Sequence, residues 1–498
     1  MAARKAKASA PAGGAPDLSG LSPDEAAGVR RALKAGQGST LRFWDKLDLA
    51  GRQRLAAQLA GIDYDLVKRL IAEHVSGSGA AAAKAPAGKL EPSPVDRLPA
   101  SEDERRAEER FREAGEDAIR AGRVAALTVA GGQGTRLGYD GPKGCYVFGP
   151  VTGRTLFRHH AEKILAVSRR CGRTIPWLVM TSDANFEVTR DYLVRERFFG
   201  VDPAAVHIFQ QGMLPASDRA GQLILEAADR LAMSPNGHGG TIQALSDAGL
   251  LDKLAAQGVD TISYFQVDNP LVRAVDPVFI GRHIAASSEM SIKVLKKCGP
   301  LEKVGVAVTR GGRIEVIEYS DLPDELAHAR DAKGELLYWA GSIAIHVFSV
   351  PFLARLAGEA KRGGGLPYHR AEKAVPCADA EGKTAKPDGK NGIKFECFIF
   401  DALPLARKGL VVETRREEEF APIKNATGED SAESCRKMLA DEWARWIEAA
   451  GGEVPRRADG TVDGRIEVSP LYALDAAELA AKLPAGFRMK PGSDVVLA

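Results

Sequence analysis

The sequence predicts an α/β fold, with an open, mixed sheet and crossover helices in the middle of the chain. A helical N-terminal region and a smaller C-terminal domain flank it. Three observations predict this. Short apolar runs alternate with helical patterning from residue 124 to about residue 405. The first run, over 124–130, is continuous, small and β-branched, which suits a strand buried on both faces. It ends in Gly131-Gly132-Gln133-Gly134-Thr135-Arg136-Leu137-Gly138. A glycine loop leaving a buried strand lies on the edge where an open α/β sheet takes its ligand.

In chain order, residues 1–20 are rich in Ala, Gly, Pro and Lys and read as a disordered tail. Ser22-Pro23-Asp24-Glu25 supplies an N-cap, a first-turn proline and first-turn acids, so a helix starts there. Apolar residues continue at helical spacing through Leu41, Trp44, Leu55, Leu59, Leu66 and Leu70, giving a helical region over 21–122. Within it, 76–100 carries glycines, an alanine run and Pro86, Pro92, Pro94 and Pro99, and reads as a linker or loosely packed crossing segment. Ser101-Glu102-Asp103-Glu104 caps the helix that delivers the chain to Val124. Strands are then expected at 175–181, 206–209, 261–267, 291–296, 304–308, 314–319, 336–348 and 397–401. A helix carrying Phe186 and Val188 and another over 242–257 complete a catalytic domain at 123–405. The C-terminal domain, 406–498, opens with a strand at 411–413 and has a helix over 431–450 with Trp443 and Trp446.

Composition narrows the class. The 498 residues are 45% hydrophobic and 27% charged, as in a water-soluble globular protein. Lys plus Arg is 68 against 66 for Asp plus Glu, a net charge of +2 that argues against wholesale nucleic-acid binding. The six cysteines are scattered without metal spacing, which fits free thiols in a reducing cytoplasm. No apolar run approaches membrane-span length, and the basic start lacks a following apolar region, so no membrane partner and a cytoplasmic location are expected.

The chemistry-bearing residues follow from the glycine loop. Its exposed backbone N–H groups, with Arg136 among them, make an anion cradle for nucleotide phosphates. No Gly-Lys-Ser/Thr closes a P-loop, and the glycine spacing is not that of a dinucleotide fingerprint. Lys143, held between Pro142 and Gly144, is placed to neutralise phosphates or is a solvated surface lysine. Asp268 ends the strand at 261–267; it is a carboxylate of the kind Mg²⁺ takes beside phosphate oxygens, or else a turn cap. Gly237, Gly239 and Gly240 around His238 allow backbone to approach a flat base closely, or simply end a helix. Lys424 is a second phosphate clamp or an exposed lysine.

The order of these features resembles the eukaryotic-type UDP-N-acetylglucosamine pyrophosphorylase family of UTP:sugar-1-phosphate uridylyltransferases. The matching blocks are GGQGTRLG at 131–138, PKG at 142–144, FQQGMLPA at 209–216, SPNGHGG at 234–240, VDNPLV at 267–272, VIEYSDL at 316–322, PDGKNGIKFE at 387–396, FIFD at 398–401 and FAPIKN at 420–425. The resemblance implies a central Rossmann-like domain of the nucleotide-sugar transferase type, taking UTP and a hexose-1-phosphate. It implies nucleotide contacts at Gly131, Gly132, Gly134, Gln211, Gly237 and His238, and Mg²⁺ at Asp268, with Asp401 either a second carboxylate or a salt-bridge partner. Arg136, Lys143 and Lys424 would grip phosphates, and Gly305, Glu318, Ser342, Phe398 and Phe400 would line the sugar pocket.

Two positions depart from the family's animal members, which carry Asn where this chain has Ser342 and His238. A serine cannot offer an amide's paired donor and acceptor. The resemblance makes N-acetylglucosamine-1-phosphate the expected sugar, and these two departures make glucose- or galactose-1-phosphate the alternative. A dinucleotide-dependent oxidoreductase and a non-catalytic nucleotide sensor are the readings from other classes. The glycine spacing weighs against the first, and Lys143, Asp268 and Lys424 against the second.

Overall fold

The computed structural model describes residues 15–75 and 88–498. The tail to residue 14 and the linker at 76–87 lie outside the described residues. The chain groups into two units. One comprises Met1–Ala87, Gly212–Gly240 and Ala360–Ile399; the other comprises Gly88–Gln211, Thr241–Glu359 and Phe400–Ala498.

The larger unit is built on a ten-stranded mixed sheet. Its strands are β1 Leu90–Pro92, β2 Val124–Val129, β3 Trp177–Thr181, β4 Val206–Gln210, β5 Thr261–Gln266, β6 Met290–Lys296, β7 Val306–Arg310, β8 Arg313–Ile317, β9 Ala340–Ser349 and β10 Gly409–Glu413. The path runs β1-β7-β9-β5-β2-β3-β4, with β8 beside β7, β6 beside β9 and β10 beside β6. Strands β5, β2, β3 and β4 are mutually parallel. Of these, β2, β3 and β5 are the apolar runs whose side chains are buried on both faces, while β4 at the edge is only partly buried. Beyond β5 the neighbours β9, β7 and β8 pair antiparallel, as their alternating patterns imply. From β2 the chain adds β3 and β4 on one side and then returns to lay β5 on the other. The crevice between β2 and β5 is thus the topological switch point of the sheet.

Helices α1 (Glu102–Arg120), α2 (Leu156–Cys171), α3 (Pro277–Ala285) and α4 (Ala432–Ala449) cover this sheet and its C-terminal extension. Ser101 begins α1 with a capping box, and Ser431 does the same for α4. Helices α1 and α3 touch backbone to backbone. A Cβ on Gly115 would lie 1.9 Å from the Pro277 carbonyl oxygen, and one on Gly281 would lie 1.8 Å from that of Phe111. The parallel strand pair Gly464–Val468 and Ser493–Leu497 shares its core with α4, and the buried Arg154 joins it to α2 by pairing with Glu162 and Glu467, each at 3.1 Å.

The smaller unit packs helices Pro23–Lys34, Leu49–Ala60 and Tyr64–His74 with four short hairpins from 212–240 and 360–399. Val29, Trp44, Leu55 and Leu59 share one core with Leu223, Leu225 and Leu231. The buried Gln37 donates to the Gly221 carbonyl and accepts from the Leu223 N–H. The Ser22 capping box that opens the first helix forms as expected.

Four expectations change. The segment at 88–100 carries an edge strand, β1, rather than connection alone. The helix expected over 242–257 is two, Thr241–Asp247 and Leu250–Ala256, because Gly249 takes the left-handed conformation at φ 65°. The strand expected at 397–401 is a strand at Gly392–Glu396 followed by a 3₁₀ turn at Ile399–Leu405. Residues 411–413 belong to β10 of the central sheet, parallel to β6. No helix among the described residues is long and apolar enough to cross a membrane, and none of the six cysteines is joined in a disulfide among the described residues.

Replacing Gly281 by Ala tests the α1–α3 contact. Helix propensity favours Ala by about 1 kcal/mol, but overpacking against backbone is expected to leave a net loss of about 2 kcal/mol. The urea midpoint should fall with an unchanged slope; a neutral or stabilised variant contradicts the contact.

Candidate functional site

The switch-point crevice collects most of the predicted nucleotide residues. Strand β2 enters it through Ala130, whose N–H donates to the Met180 carbonyl at 2.7 Å, and the glycine loop follows. The loop folds on itself: Gly134 N–H donates to Gly141 O and Lys143 N–H donates to Gly132 O, at 2.9 and 3.0 Å. Gly138 turns left-handed at φ 69° to close the short 3₁₀ helix Thr135–Leu137. The N–H groups of Gly131, Gly132 and Gln133 donate to no backbone acceptor among the described residues. Gln211, at the exit of β4, reaches over Gly131, where a Cβ would sit 3.1 Å from its Oε1. A Cβ on Gly132 would meet nothing nearer than Lys143 Cε at 3.9 Å, so open space lies above that residue.

Lys143 starts a 3₁₀ turn after Pro142 and is buried. Gly144 permits this placement, because a Cβ there would stand 2.1 Å from the Phe157 ring of α2. The Lys143 ammonium meets Asp268 Oδ2 at 3.1 Å. Asp268 leaves β5 directly beside the exit of β2, since Val267 N–H donates to Val129 O at 3.0 Å. The backbone carbonyl of Asp268 accepts from Ile423 N–H at 2.7 Å, which brings the 420s segment to the same edge. Lys424 follows, half-buried over the Phe420 ring and 3.5 Å from Asp430. Arg136 is exposed, with no ion pair among the described residues. No cluster of three or more metal-ligating side chains occurs among the described residues. Asp268 is a single carboxylate, a donor set that fits Mg²⁺ only when substrate phosphate oxygens and water complete it.

Sequence reasoning missed the residues that hold this crevice in shape. Asn185, buried after β3, donates to the carbonyls of Ala130 and Gly132, while its Oδ1 accepts from Ser182. On α2, His160 Nε2–H donates to Val267 O at 2.9 Å and His159 Nε2–H to Pro270 O at 3.1 Å. Lys163, one turn on, donates to the carbonyls of Pro270 and Val272. Asn269 donates to Glu419 O and accepts from Ala421 N–H, tying β5's exit to the 420s. The signal for the α2 set was three polar residues on a helix face that the flanking Leu156, Phe157 and Ile164 bury.

A second group gathers at one end of β7, β8 and β9. Val306 pairs with both Ile317 and Gly341, so Gly305, Glu318 and Ser342 are neighbours, and Ser342 N–H donates to Gly305 O at 2.7 Å. Strand β9 bulges just past Ser342, where Ala344 takes φ 57°. Phe400 is buried in the 3₁₀ turn rather than on a strand.

Gly237, His238 and Phe398 belong to the smaller unit. Gly237, at φ 83°, makes room for its own chain: a Cβ would lie 2.3 Å from the Cys397 carbonyl oxygen. The His238 ring stacks on Phe398 at 5.5 Å, with His369 stacked on the same phenyl at 4.6 Å. Its Nδ1 accepts from Ile399 N–H, and burial pushes the ring down to about 4, so it is neutral.

Comparison with known proteins gives a consistent result. The sequence profile of the family described as UTP–glucose-1-phosphate uridylyltransferase matches residues 84–438. The chain is 37% identical over 471 residues to UDP-N-acetylhexosamine pyrophosphorylase-like protein 1 of Xenopus tropicalis, covering 89% of this chain and 91% of the relative. It is 35% identical over 474 residues to UDP-N-acetylglucosamine diphosphorylase 2 of Arabidopsis thaliana, covering 91% and 90%. The crystal structure of the uridine diphosphate N-acetylglucosamine pyrophosphorylase from Trypanosoma brucei in complex with inhibitor superposes with a TM-score of 0.78 at 26% identity, over 95% of this chain and 99% of that one.

The α2 clamp predicts a pH dependence. Burial pushes His160 down to about 3 from an ordinary value of 6.5. The unfolded chain therefore binds the extra proton between those values; the clamp's contribution is complete above about 6.5 and is lost as pH falls towards 3. His160→Gln keeps a neutral donor and should flatten the acid limb by about 1.4 kcal/mol per pH unit. Urea midpoints between neutrality and mild acid measure this; an unchanged slope contradicts it.

Proposed function

The chain belongs to the UTP–glucose-1-phosphate uridylyltransferase family, and from that membership we propose that it is a nucleotidyltransferase that makes a UDP-sugar and pyrophosphate from UTP and N-acetylglucosamine-1-phosphate. The observation that carries the reading is the crevice between β2 and β5, where loop N–H groups with no backbone acceptor among the described residues, a buried lysine and a strand-end carboxylate converge. The names of the Xenopus and Arabidopsis relatives, which specify UDP-N-acetylhexosamine and UDP-N-acetylglucosamine, support the choice of sugar.

The chemistry follows from charge. A sugar phosphate has its second pKa near ~6, so its oxygen is already an anionic nucleophile at neutral pH and needs no general base. It attacks the α-phosphorus of UTP in line, forming one P–O bond while the bond to the β,γ-pyrophosphate breaks. The obstacle is bringing two polyanions together, so positioning and positive charge carry the catalysis. In this reading the N–H groups of Gly131, Gly132 and Gln133 take the triphosphate, with Arg136 beside them on the loop. Gln211 hydrogen-bonds the uracil, and Lys143 leaves Asp268 to bind phosphate oxygens. Lys424, swung from Asp430, closes on the same charge. Asp268 is the residue that would hold Mg²⁺, and the ion supplies charge neutralisation across the phosphates when bound. Gly305, Glu318, Ser342 and Phe400 face the sugar, Glu318 accepting from its hydroxyls. The shorter Ser342 leaves room for glucose- or galactose-1-phosphate as weaker substrates.

Pyrophosphate release from UTP with a panel of hexose-1-phosphates should be fastest with N-acetylglucosamine-1-phosphate. No pyrophosphate release with any sugar, or an NAD(P)H-linked absorbance change in its place, rules the reading out. Lys143→Ala should lower kcat by about 10²–10³ with little change in melting temperature; near-normal turnover removes Lys143 from the mechanism. In Asp268→Asn the Mg²⁺ concentration needed for half-maximal rate should rise at least about tenfold, and an unchanged titration places the ligand elsewhere.

A further inference from the structure

A cavity of about 1100 Å³ opens within the larger unit, walled by α1, α2, the chain leaving β5, α4 and the segment 468–478. It contains neither the glycine loop nor Lys143 or Asp268, so it is separate from the proposed nucleotide site. Its size is that of a pocket for a small organic molecule. Trp443, Trp446, Leu271 and Val275 give it an apolar and aromatic wall.

The charges around it are unevenly satisfied. Lys163 holds two backbone carbonyls, Arg170 holds Asp475 and Glu478, and Arg273 holds Glu418. The remaining guanidinium groups of the rim also each hold a carboxylate or a carbonyl. Glu442, on α4 beside Trp443, is 6% exposed and faces the cavity. Its carboxyl makes no hydrogen bond and no ion pair within 4.0 Å among the described residues. Burial pushes it up to about 7, with Lys163 and Arg273 drawing it back only through space. Both carboxyl oxygens are open to the cavity rather than sealed in protein, so a ligand that brings donors can reach them.

We propose that this cavity is a binding site for a small aromatic ammonium compound, whose charge meets Glu442 and whose ring lies on the two indoles. Carboxylate and indole faces together select a cation, and the cations of the wall are already engaged, which disfavours an anion. Occupancy reaches the nucleotide site through Lys163. That side chain faces the same cavity and holds the carbonyls two and four residues past Asp268. A ligand charge beside Glu442 alters the field on Lys163 and grips Leu271, so the strand exit carrying Asp268 shifts with it.

Calorimetry on the full chain with tryptamine as probe tests the site without any turnover, so its failure is distinct from failure of the uridylyltransferase reading. Tryptamine should bind once per chain at millimolar or lower concentration. Glu442→Gln and Trp446→Ala should each weaken it by about tenfold or more, and indole-3-propionate, the same ring with opposite charge, should not bind. Absence of tryptamine binding, equal binding in a folded Glu442→Gln variant, or equal binding of indole-3-propionate overturns the proposal. Should Glu442→Gln fail to fold, the Trp446→Ala comparison and the propionate arm decide it. Saturating tryptamine should also change the KM for UTP in the wild type and not in Glu442→Gln; an unchanged KM overturns the coupling through Lys163.

Discussion

The contact on which the rest of the molecule depends is the pairing of Lys143 with Asp268 across the exits of two adjacent parallel strands. Neither residue gets there by local structure alone. The sheet must leave β2 for β3 and β4 and return to place β5 on the other side, because only that order puts a glycine loop and a strand-end carboxylate side by side. Without a substrate the two charges neutralise each other in a mostly buried setting, where an unpaired one would be costly. Bound phosphates and a cation offer each partner a better one. In the proposed reading the pair is a placeholder that keeps opposite charges in position for a reaction between polyanions.

A crevice of this kind loses its use if its walls drift, and its supports are donors aimed at carbonyls, uncharged except for Lys163. Asn185 holds the glycine loop from one side. His159, His160 and Lys163 hold the run after Asp268 from the other. The histidines are kept neutral by burial, so they fix the backbone without adding charge to the crevice. Asn269 then passes the same order to the segment that presents Lys424. Helix α2 thereby does two jobs: it covers the sheet with Phe157 and Ile164, and it pins the site with its polar row.

Much of this was legible in the sequence where local rules dominate. The run at 124–130 reads as a strand because it is small, β-branched and apolar but for Thr128, and Gly138 stands where the loop after it turns left-handed. Asp268 could be placed at a strand end from the length of the apolar run before it. What could not be read depends on partners distant in sequence. Asn185 is an ordinary residue until Ala130 is found beside it, and the glycine at 144 reads as a turn until Phe157 is seen against it. Phe398 and Phe400 alternate as strand residues do, yet the histidines at 238 and 369 stack on the first while a 3₁₀ turn takes the second. Gly249 broke a helix that its flanking leucines continue in pattern, since a left-handed glycine outweighs periodicity.

The end of the sheet that gathers Gly305, Glu318 and Ser342 varies the theme. A bulge past Ser342 re-aims the strand there, which in the proposed reading lets sugar choice change without disturbing the phosphate crevice. The central claim is about that crevice, and Gly132 tests it most directly, because a Cβ there meets nothing nearer than Lys143 Cε at 3.9 Å. Calorimetric titration of UTP with Mg²⁺ into the wild type and Gly132→Val is the measurement. The account predicts a melting transition changed by no more than about 0.5 kcal/mol in stability and a loss of UTP affinity of about tenfold or more. Unchanged UTP binding by the folded variant would contradict it.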